Sequence, residues 1–401
     1  MLRPRSPVPN DPHPGAADVP STSFDPDALI EEARAATGLS DLGEEEIREG
    51  LAVLCETYEH DAWDEASRRR NRRRVLGLLA TRLRVEAALR AHPEILDRPL
   101  QRPMVLTGLP RSGTSALFNL LAADPAARPL LLWETQYPDP AEGLAEGEED
   151  PRYVAMKRYY EDAQRKNPEF TKMHFAAADA PEECVLLQSY AFSGVHHGVE
   201  VMLEPYASWH REQDLGPMYA YHRKLLQLLD WQRPGERWLL KTPAHMWALE
   251  ALIEHFPDVS IVWSHRDPQL CVASICSMTS NLMRGCAVDD RELGPIVMDF
   301  YATSLERGLA ARDRCDSARF VDVDHDDFVA DAMGIALRVY GDFDLAMSAQ
   351  ARAAIERHVA ANPKGKHGRH EYSLEQYGLE PDAVLKRFEG YIERFGIDVG
   401  R

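Results

Sequence analysis

A three-layer α/β fold, with a central parallel sheet flanked by helices and a helical extension ahead of it, is what this sequence predicts. Three observations predict it. Pro103 to Asp124, PMVLTGLPRSGTSALFNLLAAD, reads as a short apolar strand, a glycine turn and a helix. Further apolar runs at Trp238–Lys241, Asp258–Ser264 and Arg319–Val323 are separated by segments of helical period, the alternation of a parallel sheet covered on both faces. From Asp25 to Pro103 the pattern is helical alone. The expected organisation is a disordered tail over 1–25, a helical extension packed on the core over 26–102, and an α/β domain over 103–401.

Residues 1–25 are Pro-rich and polar, which predicts disorder. Asp27-Ala28-Leu29-Ile30 starts a first helix. Leu42 to Tyr58 carries apolar residues at helical intervals behind Glu44, Glu45 and Glu46. Ser67 to His92 is a long helix holding Arg68, Arg69, Arg70, Arg72, Arg73 and Arg74. That cluster reads either as a nucleic-acid or membrane patch or, preferably, as a solvated face offsetting Asp61, Asp64 and Glu65. Leu130 to Thr135 reads as a strand or strand end, Asp139 to Asp150 as a loop and Tyr153 to Gln164 as a helix. Pro181-Glu182-Glu183 starts a helix running to Tyr190, with proline and acids in its first turn. Helices follow over Gly216–Trp231, up to His255, and over Leu270–Met283 and Leu293–Arg314. A basic loop lies at Asn362–His370, and there is no internal repeat.

At 401 residues the chain can bury a full core. Its formal net charge of -19 argues against a general nucleic-acid binder. An anionic ligand therefore needs a local basic pocket. Six cysteines without a CxxC pair predict reduced thiols and a cytoplasmic protein. No apolar h-region opens the sequence, and no window reaches the roughly 20 apolar residues of a membrane helix.

The glycine turn carries the chemistry. Gly108 and Gly113 let backbone curl around an oxyanion, and the first-turn amides of the helix behind them lack intrahelical partners. The turn is P-loop-like, but Thr114 stands where the nucleotide-hydrolase motif has lysine. Arg111 is the loop's cation. A loop holding one phosphate, with a guanidinium for a leaving oxygen, fits better than magnesium-dependent chemistry. A second anion site is expected where the strand Ser260–Ser264 runs into His265-Arg266-Asp267-Pro268, with Ser274 two turns into the following helix.

On these residues the chain resembles a sulfotransferase that uses 3′-phosphoadenosine 5′-phosphosulfate, of a bacterial branch with an arginine in the loop. Pro110-Arg111-Ser112-Gly113-Thr114-Ser115 is similar to the family's 5′-phosphate loop, P-[KR]-S-G-T-[ST]. Arg266 and Ser274 are similar to its Arg-x7-Ser pair for the 3′-phosphate. Lys364-Gly365-Lys366 is similar to the basic loop that closes on that phosphate, and Leu240-Lys241-Thr242-Pro243 to its Lys-Thr segment. The resemblance runs from about Pro103 to the C-terminus.

It implies in-line transfer of a sulfuryl group to a hydroxyl of a small or lipid-like metabolite, with no metal. Arg111 is expected at the leaving oxygen, and Lys241 is a second cation there. The base is open between two residues. Glu134 is a near match to the glutamate of the tyrosylprotein branch, its alternative being a structural glutamate paired with an arginine. His174 is the other candidate. His245 stands two positions beyond Pro243, which fills the place of the cytosolic branch's histidine. Leu130–Trp133, Phe192, Trp209, Tyr219, Trp247 and Met278 are candidate acceptor-pocket residues. The alternatives are a small-molecule P-loop kinase and a non-catalytic nucleotide-binding protein. A homo-oligomer is left open.

Overall fold

The computed structural model describes residues 23–44, 47–60, 63–141, 143–144, 147–166, 177–195, 200–362 and 373–400. His174, Lys364, Gly365 and Lys366 lie outside these residues, as does the tail before residue 23.

Three helices lead: α1 (Pro26–Thr37), α2 (Ile47–Glu59) and α3 (Glu65–Ala91). Then come β1 (Met104–Gly108), α4 (Thr114–Leu121), β2 (Ala127–Pro129), α5 (Leu132–Gln136) and α6 (Pro151–Lys166). Next are α7 (Cys184–Gln188), α8 (Tyr206–Glu212), α9 (Gly216–Gln232), β3 (Arg237–Lys241) and α10 (Leu249–His255). After β4 (Ser260–His265) follow α11 (Pro268–Leu282), α12 (Asp290–Arg312), β5 (Phe320–Asp324) and α13 (His325–Ala330). The chain closes with α14 (Ala332–Asp342), α15 (Ala349–Ala361), α16 (Pro381–Arg387) and α17 (Glu389–Phe395).

The strands form one sheet in the order β2-β3-β1-β4-β5, parallel throughout. In register, Val105 of β1 faces Leu240 of β3 and Ile261 of β4. Alternate side chains of each strand enter different cores, as the two-residue period requires. Met104, Leu106, Leu239 and Val262 pack with Leu117, Leu120 and Val339 of the helices on one face. Val105, Leu240, Ile261 and Trp263 join the other core, which also holds Leu29, Leu51 and Leu79 of the leading helices. Because all strands are parallel, their C-terminal ends open on one edge. The chain leaves β1 toward β2 and β3 on one side and reaches β4 and β5 on the other, so β1 sits at the topological switch point where such sheets bind ligand.

The structure corrects the sequence reading in three places. Leu130–Thr135 is not a strand. The edge strand is Ala127–Pro129, and the apolar run after it turns into α5, with Leu131 bridging Pro181. Pro129 suits an edge, where a missing N–H costs no ladder bond. Phe24 and Asp25, placed by the sequence in the tail over 1–25, belong to the fold, because Phe24 is buried against Tyr58 and Asp25 caps α1 through Ala28 N. The α3 arginines are more than a solvated face. Arg72 is buried and bonds Glu32 at 2.6 Å, and Arg74 bonds the buried Glu200 at 2.8 Å. Arg68 pairs with Glu59 and Arg69 with Glu65. These bonds tie α3 to α1, α2 and the segment at Glu200.

Candidate active site

The turn after β1 is built by its neighbours. Gly108 has φ 138°, and a Cβ there would stand 2.4 Å from the Ser264 carbonyl oxygen. Gly113 has φ 94° and caps α4, where a Cβ would meet His325 Nδ1 at 2.7 Å. Both positions need glycine for conformation and for space. Arg111 also has a positive φ, 71°, a region costly for a residue with a Cβ. Arg266 Nη1 donates to the Arg111 carbonyl at 2.9 Å and holds that conformation. Ser112 Oγ is buried between the Leu109 carbonyl and Ser264 Oγ, at 2.6 Å from each. The result is a rigid backbone cradle at the positive end of α4.

The second anion site closes on the first. Arg111 Nε donates to Ser274 Oγ at 3.1 Å. Arg111, Arg266 and Ser274 therefore meet at one corner, although they come from the β1 turn, the end of β4 and the second turn of α11. The corner is braced from behind: the Arg266 amide donates to Tyr391 Oη at 3.2 Å, and Asp267, capping α11, accepts from Gly400 N at 3.0 Å. Because Arg111 reaches Ser274, its charge lies at this corner as well as at the loop.

Lys241, at the end of β3, is buried beside the loop helix. Its Nζ lies 3.1 Å from Ser115 Oγ and 2.5 Å from Glu183 Oε1. Thr242 Oγ1 donates to Glu183 Oε2 at 3.1 Å. Sequence reasoning placed Glu183 in the first turn of a helix and did not mark it as a site residue. It reaches Lys241 because Leu131 and Pro181 bridge and the Glu182 amide donates to the Leu130 carbonyl at 2.8 Å. The signal available in sequence was a Pro-Glu-Glu turn, which local spacing cannot connect to Lys241. Burial and the Glu183 charge push the Glu182 carboxyl above its usual range.

Beside these groups lies a cavity of about 250 Å³ whose lining combines Arg111, Thr114, Ser115, Glu182, Glu183 and Thr242 with a majority of apolar residues. Of the candidate acceptor residues, Trp247 and Met278 line it. Leu130, Phe192 and Tyr219 are buried in the larger core instead.

Two of the candidate catalytic residues stand away from this cavity's lining. Glu134 is buried in an ion pair, with Arg128 Nη1 and Nη2 each 2.8 Å from its oxygens and Arg233 Nε at 3.0 Å. Its oxygen also accepts from Leu131 N, the N-cap amide of α5, at 3.0 Å. These bonds take up both of its carboxylate oxygens. His245 is wholly buried, bonded through Nδ1 to Tyr219 Oη at 2.7 Å, and burial holds its imidazole well below the usual range.

Residues 103–349 match the model of a sulfotransferase family. The sulfotransferase STF1 of Mycobacterium tuberculosis H37Rv is 35% identical over 91% of this chain and 98% of its own, with a TM-score of 0.80. The sulfotransferase STF9 of Mycobacterium avium is 30% identical over 96% of this chain and 100% of its own, with a TM-score of 0.85. No curated relative matches the chain.

Proposed function

Because this chain belongs to the sulfotransferase family, we propose that it moves the sulfuryl group of 3′-phosphoadenosine 5′-phosphosulfate to the hydroxyl of a small or lipid-like acceptor, with Glu183 as base. The observation that carries this reading is the Glu183–Lys241–Ser115 chain, which joins the phosphate loop to the apolar cavity.

The amides of Ser112 to Ser115 cradle the 5′-phosphate. Arg266 and Ser274 take the 3′-phosphate, and Lys364-Gly365-Lys366 closes over it. Arg111 spans the two, its guanidinium offering a fork of donors. The acceptor oxygen forms its bond to sulfur as the bond from sulfur to the bridging oxygen breaks. The electron pair goes to that oxygen, where Lys241 and Arg111 stabilise the charge. The acceptor's proton goes to the Glu183 carboxylate, which Thr242 holds in place. Positioning and fixed charge do most of the work, as in phosphoryl transfer. Glu134 is left to the fold, and His174 remains a second base candidate on sequence grounds alone. Six unpaired cysteines suit a reducing compartment such as the cytoplasm.

Titration calorimetry tests the donor. Adenosine 3′,5′-bisphosphate should bind at least about tenfold more tightly than ATP. An equal or reversed preference would favour a small-molecule kinase.

A further inference from the structure

Trp247 belongs to two cavities. It lines the one described above and also a second, of about 410 Å³, behind it. Among the described residues it is the one side chain common to both linings. Two stretches of chain run past it in the same direction. Thr242 and Ala244 line the first cavity, then Trp247, and then Glu250 and Glu254 line the second. On α12, Phe300 and Ser304 face the first cavity and Arg307 and Ala311 the second, successive positions on one helical face. The cavities therefore lie in line, with the indole between them.

The indole is held on three sides. Its ring centroid is 4.7 Å from that of Phe300 and 5.3 Å from that of His210, and the Arg307 guanidinium sits 4.9 Å over its face. This is a fixed wall. Beyond it the character changes, because the second cavity carries Asp214, Glu250, Glu254 and Arg307.

We infer that Trp247 is the end wall of the acceptor site and sets the longest hydroxyl acceptor the protein takes. The inference rests on the function proposed above. Thr242, which holds Glu183, and Trp247 belong to one short 3₁₀ segment with its N-cap, Thr242 to Ala248. Five residues at a rise of about 2 Å put Trp247 roughly 10 Å along that segment from Thr242. Acceptor length is thus fixed by the same segment that positions the base.

The test uses a homologous series of straight-chain primary alcohols and the full chain saturated with adenosine 3′,5′-bisphosphate. Binding is read by calorimetry, so that it does not depend on transfer. In the unaltered protein, affinity rises with each methylene to a limit and then falls. In Trp247→Ala the limit moves to longer chains, and alcohols just past the original limit gain roughly tenfold or more. Trp247→Leu, which retains apolar bulk, gives an intermediate limit and serves if the alanine variant folds poorly. Affinity for the bisphosphate itself stays the same in all three. The inference is overturned by one limit shared by all three proteins, by affinity that climbs through the whole series in the unaltered protein, or by no dependence on length. Should the limit shift as expected while no alcohol is ever sulfated, the wall stands and the proposed transfer falls.

Discussion

Glu134 and Glu183 are each paired with a cation, and their surroundings separate their work. Glu134 has both oxygens taken by Arg128 and Arg233 and is 1% exposed. Glu183 is half-buried, faces the cavity and shares its lysine with the phosphate loop. Breaking a buried pair leaves a charge without compensation, a loss of about 3–5 kcal/mol. Glu134→Gln should therefore lower the unfolding free energy by that much, read as a lower denaturant midpoint, without weakening bisphosphate binding by the folded protein, and normal stability with lost transfer would return Glu134 to the mechanism. A structural glutamate paired with an arginine was among the sequence readings of this residue. Glu183 was not legible, because its partner stands 58 positions away in the chain and the contact depends on the Leu131–Pro181 bridge.

At the scale of elements, the legible parts were those with local signatures. The strand–turn–helix at β1 and α4 announces itself through Gly108 and Gly113. An eight-residue step from Arg266 puts Ser274 on the second turn of α11 by helical period alone. The Leu130-Leu131-Leu132 run failed as a strand because an apolar run of that length suits strand or buried helix equally. The arginine run of α3 misled for a different reason. Charge suggests a wet surface, while the fold supplies Glu32 and Glu200 to bury part of it. The loop makes the sharper prediction. At Gly113 a methyl group meets both a φ of 94° and His325 at 2.7 Å. Gly113→Ala should weaken adenosine 3′,5′-bisphosphate by roughly tenfold or more in calorimetry, consistent with loss of one or two phosphate hydrogen bonds. Unchanged affinity would remove the cradle from the donor site.

At the scale of the whole molecule, one interlocked core fills the sheet's helical-extension side. Leu29, Leu51, Leu79 and Val105 belong to the same buried cluster, so α1 to α3 complete that core, although the family match begins only at residue 103. Within the core sit histidines that the fold keeps neutral. Burial lowers His222 to about 3 and holds His245 and His265 below their ordinary range. Each binds its proton more weakly folded than unfolded, so the unfolded chain takes up protons that the fold refuses. Stability should fall as pH drops below about 6.5 toward 3, by roughly 1 kcal/mol per pH unit from His222 alone. Denaturant midpoints measured across that window check the sign, and a midpoint independent of pH would mean the imidazoles are not buried as neutral groups. The central claim concerns transfer, and the most direct measurement follows radiolabelled sulfur from 3′-phosphoadenosine 5′-phosphosulfate to an apolar alcohol. The unaltered protein should label the alcohol, and Glu183→Gln should lose about 10²- to 10⁴-fold in kcat while binding adenosine 3′,5′-bisphosphate normally. Full turnover by Glu183→Gln, or no labelling by the unaltered protein across apolar alcohols, would contradict it.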